Sequence, residues 1–138
     1  MSSHPYFDNH GAVSWFVDYE AAKAEARRTG KLLFIESGRR ACVGCKELIE
    51  TIVPQPDVAK ILNEHFVCCS DDCDAMAPAV RSLLVKHLPR GRMLPFVLLT
   101  DSEARWLGGS SGSTTAEDFR TLLRAAIDRP LAESRPDP

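Results

Sequence analysis

Hydrophobic positions along the chain alternate between helical stripes and short continuous runs. Trp15, Tyr19, Ala22 and Ala26 recur at helical spacing through an Ala-rich, charged stretch, and Gly30 is a natural terminator. This predicts a helix over about 15–28. Lys31–Ile35 is apolar, too short for a helix and bounded by Gly30 and Ser37-Gly38, so a buried strand fits it. Cys45, Leu48, Ile49 and Ile52 share a helical face, which puts Cys42 and Cys45 at or just inside a helix start. Asp57 is placed to cap a second short helix carrying Val58, Ile61 and Leu62, and Phe66–Cys69 reads as another strand.

Pro78–His87 has Val80, Leu83, Leu84 and His87 on one side of a helix, and Phe96–Thr100 is the clearest strand. Residues 101–104 turn into Arg105-Trp106-Leu107, suggesting a hairpin, and Gly108–Ser113 resembles a linker. A final helix carries Phe119, Leu122, Leu123, Ala126 and Ile127 on its buried stripe, with Thr114 and Glu117 at capping-box spacing. Helices and strands in this order predict an α/β fold: a central mixed sheet flanked by helices on both faces. The segment 1–13 and the Pro- and charge-rich 129–138 are expected to be loose ends of one domain over 14–128.

Composition narrows the function. With 44% hydrophobic and 26% charged residues the chain can bury a core, and a formal net charge of -2 argues against a nucleic-acid binder. No apolar run approaches the length of a membrane span, and the N-terminal residues lack signal-peptide features, so the expected address is the cytoplasm. Five cysteines, at 42, 45, 68, 69 and 73, are many for a reducing compartment. Their spacing points to redox chemistry or metal rather than a secreted disulfide framework.

The candidate chemistry centres on Cys42-Val43-Gly44-Cys45. Two thiols so spaced at a helix start can close into a small disulfide ring. The first faces the helix's unpaired N–H groups, which favour its thiolate. The second lies one turn deeper and can resolve a mixed disulfide by intramolecular attack. Cys42 is therefore the expected nucleophile and Cys45 the resolving thiol.

These marks, with Gly30-Lys31, the strand 32–36, Lys46, Asp57-Val58, Phe66-Val67 and Leu94-Pro95 before Phe96–Thr100, give the chain a resemblance to thioredoxin-like proteins over roughly residues 14–128. It is similar in particular to the branch with an N-terminal helix before the first central strand. The resemblance implies a thiol–disulfide oxidoreductase acting on protein disulfides, with no organic cofactor and an unidentified electron donor, and the expected cytoplasmic address favours the reducing direction. It implies that Pro95 is a cis-proline beside the dithiol, exposing the Leu94 backbone to a substrate peptide. It also implies that Glu36 occupies the place of a buried acid that moves a proton to the resolving thiol; a solvated strand-end carboxylate is the alternative. Two features depart from the family: Ala41 stands where Trp is typical, and Val-Gly stands inside the motif where Gly-Pro is typical.

Other residues carry weaker expectations. Arg39 and Arg40 precede the dithiol, and Arg90 and Arg92 precede Pro95, so a basic rim that attracts acidic partners would follow if those loops share a face. Cys68 and Cys69 should face opposite sides of their strand as small hydrophobes, whereas Cys73 could reach the site as an auxiliary thiol. A zinc module using Cys42, Cys45, Cys69 and Cys73 is one alternative function, and a redox-idle interaction module is another. His65 and His87 read as structural, His4 and His10 lie in the segment expected to be loose, and none makes a Cys-His pair or metal spacing.

Overall fold

The computed structural model describes residues 3–133. Five strands form one mixed sheet in the order β1-β3-β2-β4-β5: β1 Trp15–Phe16, β2 Leu32–Gly38, β3 Phe66–Asp72, β4 Phe96–Thr100 and β5 Trp106–Ser111. Strands β1 and β2 run parallel to β3, while β4 is antiparallel to both β2 and β5. The helices are α1 Tyr19–Thr29, α2 Val43–Glu47, α3 Pro56–His65, α4 Pro78–His87 and α5 Ala116–Glu133. A π-helical turn, Leu48–Ile52, extends α2. No helix among the described residues is long and apolar enough to cross a membrane.

The pleat sorts side chains by parity onto two cores. Phe34, Cys68, Val97 and Leu99 face one core, completed by Leu48, Ile49, Ile52, Leu62, Phe119 and Leu123 from the π turn, α3 and α5. Leu33, Ile35, Val67, Cys69 and Leu98 face the other, covered by Tyr19, Ala22 and Ala26 of α1 and Val80 of α4. Burying one such large apolar side chain stabilises the fold by about 1.5–3 kcal/mol. Because β2 is central and covered on both faces, it reads as an unbroken apolar run rather than an alternating one.

Several expectations need correcting. Trp15 and Phe16 do not begin the first helix; they pair with Cys68 and Cys69 as the edge strand β1, and Asp18 caps α1 by accepting from the Ala21 N–H at 2.9 Å. Gly30 ends α1 in the left-handed conformation, φ 73°, as its role of terminator requires. Asp57 does not cap α3. Gln55 precedes that helix, and Asp57 instead pairs with Arg120 of α5, whose guanidinium lowers the Asp57 pKa. Gly108–Ser111 is not linker but the body of β5, held by pairing to β4. Thr115, not Thr114, caps α5, its hydroxyl accepting from the Asp118 N–H at 3.1 Å.

The segment expected to be loose at the N-terminus is packed. Phe7 and Val13 join the first core, and His4 and Asn9 are buried beside it. Asn9 Nδ2 donates to the Val13 carbonyl at 2.9 Å, while Asn63 on α3 donates to that of Ala12 at 2.8 Å. At the other end α5 continues to Glu133, and residues 134–138 of the expected tail lie outside the described residues.

Candidate active site

The parallel register sets the site. Leu32 pairs with Phe66 and Gly38 with Asp72, so β2 and β3 end together, and the chain leaving β2 reaches Cys42 after three more residues. Cys42 is the N-cap of α2: its backbone is extended, φ -129°, and its sulfur accepts the Cys45 N–H at 3.1 Å. A thiolate at Cys42 would keep that donor, which is the physical basis for stabilising negative charge there. Cys42 and Cys45 are joined by a disulfide with Cα atoms 5.2 Å apart. Cys45 is fully buried, whereas Cys42 is partly exposed. The two sulfurs therefore differ in access, one facing outward and one into the core.

Two glycines let the surroundings approach. A Cβ on Gly38 would lie 2.6 Å from the Cys45 sulfur and would collide with Oε2 of Glu36. Carboxylate and sulfur thus flank the same small space above the bare Gly38 Cα. A Cβ on Gly44 would lie 3.2 Å from the Leu94 carbonyl oxygen, 3.3 Å from Pro95 Cδ and 2.8 Å from Ser113 Oγ. The start of α2 therefore rests directly on the loop before β4, where the Leu94–Pro95 peptide bond is cis.

Glu36 is buried at 1% exposure on β2, and the structure rules out the solvated strand-end alternative. Its Oε1 accepts from His4 Nε2 at 2.9 Å. No periodic pattern marks His4, because one hydrogen bond from an irregular segment leaves no repeat in the sequence.

A groove of about 420 Å³ opens beside Cys42, with Ala41, Val43, Gly44, Leu94 and Ser113 in its walls and Arg39, Arg92 and Met93 at its margin. Val43 and Met93 are large apolar side chains left 84% and 68% exposed. The structure brings Arg39 and Arg92 to this groove, as a basic rim requires. Arg40 is turned elsewhere, its guanidinium 5.2 Å from the centre of the Tyr6 ring, and Arg90 does not line the groove.

A family model described as thioredoxin-like matches residues 14–102. The chain belongs to the thioredoxin-like family. Among solved structures of thioredoxin-like proteins, it superposes on a thioredoxin from Thermus thermophilus with TM-score 0.71 and 21% identity, covering 90% of this chain and 94% of that one. It superposes on the oxidised C-terminal domain of DsbD from Neisseria meningitidis with TM-score 0.58 and 22% identity, covering 80% and 97%. At these identities the superpositions speak for the fold alone. The chain is also 25% identical over 134 residues to Spermatogenesis-associated protein 20 of Mus musculus. That match covers 91% of this chain and 17% of the mouse protein, so the chain spans about a sixth of that relative's length.

The remaining cysteines of this thioredoxin-like chain separate by face. Cys68 points into the first core with Cys45, and Cys69 into the second with Tyr19 and Ala22. Burial raises both thiol pKa values, that of Cys69 to about 12. The zinc alternative fails on this geometry: Cys69 is on the opposite side of the sheet from Cys45 and cannot share an ion with it. Cys73 is a free, half-buried thiol just past β3, where Arg39 and Asp74 surround it and Arg39 reaches Asp74 at 2.8 Å. It does not line the groove. Burial raises its pKa, with Arg39 pulling the other way. Of the remaining histidines, His87 stacks on Trp106 with ring centres 4.4 Å apart, and His65 and His10 are exposed.

Proposed function

We propose that the chain is a thiol–disulfide oxidoreductase that reduces disulfides in protein substrates through Cys42 and Cys45. The observation that carries this reading is the placement of Cys42 at the mouth of the groove, its sulfur on the Cys45 N–H, with Cys45 buried behind it.

In the first step the Cys42 thiolate attacks one sulfur of the substrate disulfide. A mixed disulfide forms, and the other substrate sulfur leaves as a thiolate that takes a proton from solvent. In the second, Cys45 gives its proton to Glu36 Oε2, and the resulting thiolate attacks the Cys42 sulfur. The Cys42–Cys45 disulfide forms and the second substrate sulfur departs, protonated in turn. Two electrons pass from the dithiol to the substrate. A dithiol reductant must return them, and no further cofactor is needed.

Apolar Val43, Met93 and Leu94 support a peptide rather than a small polar thiol as substrate, and Arg39 and Arg92 favour acidic flanking residues. Leu94, whose carbonyl lies against Gly44, is positioned to offer backbone to an extended substrate segment beside Pro95. Three free thiols at Cys68, Cys69 and Cys73 fit a reducing compartment, which supports a cytoplasmic address.

The test is turnover of a disulfide-bonded protein substrate in the presence of excess small dithiol. The reading expects catalysis that is lost in Cys42→Ser. Substrate reduction no faster than with the small dithiol alone would instead leave a redox-idle interaction module.

A further inference from the structure

His4 is the residue that the dithiol chemistry does not yet use, although it is buried against that chemistry's carboxylate. Its ring lies between Phe7, stacked at 5.4 Å, and the edge of Trp15 at 4.9 Å. Nδ1 accepts the backbone N–H groups of Tyr6 and Phe7, at 3.2 and 3.3 Å. A nitrogen that accepts carries no hydrogen, so in the neutral ring the proton resides on Nε2. The 2.9 Å contact to Glu36 is therefore an Nε2–H donated to Oε1. With Oε1 occupied, Oε2 is the oxygen left toward Gly38 and the Cys45 sulfur.

We propose that His4 is a positioning residue for the resolving step: its Nε2–H fixes the Glu36 carboxylate so that Oε2 is presented to the Cys45 thiol. The inference rests on the reading of Glu36 as the base for Cys45. It makes the N-terminal segment part of the site, because the Tyr6 and Phe7 amides set the tautomer that lets Nε2 donate. Without that donor the carboxylate can rotate about its last bond, and its proton-accepting oxygen leaves the line to the sulfur. Misplacing a reacting group by about 1 Å can cost about 100-fold in rate.

Two amide substitutions divide the functions of the ring. His4→Asn keeps an acceptor where Nδ1 lies, able to take the amides two and three residues on, and loses reach to Glu36. His4→Gln keeps a donor near Nε2 and loses that acceptor. In a Cys73→Ser background the reduced protein is mixed with dithiobis(nitrobenzoate) and followed by stopped flow. The first release of nitrothiolate reports attack by Cys42, and the second reports resolution by Cys45.

The expected result is a second phase slowed about tenfold in His4→Asn, an unchanged first phase, and a second phase within about threefold of the parent in His4→Gln. His4→Phe, which keeps the ring packing and neither nitrogen, should slow as His4→Asn does. Glu36→Gln should slow the second phase about 100-fold. If Glu36→Gln is slow but His4→Asn and His4→Phe resolve at the parent rate, the positioning role is wrong while the base stands. Equal slowing in His4→Asn and His4→Gln would reduce His4 to packing and also overturn it. A parent-like rate in Glu36→Gln would remove the underlying reading of the base.

Discussion

The sulfur of Cys45 and Oε2 of Glu36 flank the same small space over Gly38, which has no Cβ to fill it. Neither partner can swing away cheaply, since Cys45 is tied to Cys42 and Glu36 to His4. Gly38→Ala should therefore destabilise the oxidised protein by about 1–3 kcal/mol, the usual cost of forcing an extra methyl into a packed site. Urea unfolding of the two proteins measures it. A midpoint unchanged from the parent would mean that the space above Gly38 is not filled as described.

Gly44→Ala sets two effects against each other. Alanine in α2 gains up to about 1 kcal/mol of helix propensity, while its methyl pushes aside the Ser113 hydroxyl and presses on the Leu94 carbonyl and Pro95. Net stability should change by less than about 1 kcal/mol. Protein-disulfide reduction should still fall several-fold, because the dithiol and the Leu94 backbone no longer hold their spacing. The comparison is KM and kcat for a protein substrate against a small aromatic disulfide, and only the former should suffer.

The three unpaired cysteines should behave differently under substitution. Cys68→Ser places a hydroxyl in an apolar core and should cost about 1–3 kcal/mol. Cys73→Ser, at a half-buried position outside the groove, should leave stability, the count of oxidisable pairs and the reduction potential unchanged. Thiol titration after oxidation decides the second point, and a lost pair in Cys73→Ser would make Cys73 a redox partner. Removing Arg39 takes away the charge that favours the Cys73 thiolate, so Arg39→Ala should shift Cys73 alkylation to higher pH.

Asp71 supplies a pH test. Burial raises its pKa, despite hydrogen bonds from the Ser37 hydroxyl at 2.7 Å and the Ala77 N–H at 3.2 Å. The folded state thus holds the Asp71 proton more tightly than the unfolded chain. Its contribution to stability is fullest below the ordinary aspartate range of about 4 and falls as pH rises through the raised folded value. The stability of the parent minus that of Asp71→Asn should consequently fall between about pH 3.5 and about pH 7, as urea titrations at those two values would show. A difference that grows toward neutral pH would contradict the direction of the shift.

The sequence made the sheet's inner strands and most helices legible because each has a period or a bounded apolar run. Phe96–Thr100 and Pro78–His87 match β4 and α4 to the residue. What it concealed was non-periodic. Trp15 falls at helical spacing with Tyr19, Ala22 and Ala26, yet it belongs to a two-residue strand too short to show alternation. Gly108 and Gly109 look like linker because β5 owes its place to backbone pairing with β4 rather than to side-chain pattern. At the site, Cys42, Cys45 and Glu36 stand within one strand-to-helix passage and could be read together. His4 could not, since 32 residues separate it from Glu36 and only folding brings them to 2.9 Å.

The most direct measurement of the central claim is to trap the exchange intermediate. Reduced Cys45→Ser protein, unable to resolve, is incubated with an oxidised protein substrate, and the mixed disulfide is mapped by peptide mass spectrometry. The account predicts a stable covalent complex through Cys42. A complex through Cys73, or none at all, would contradict it.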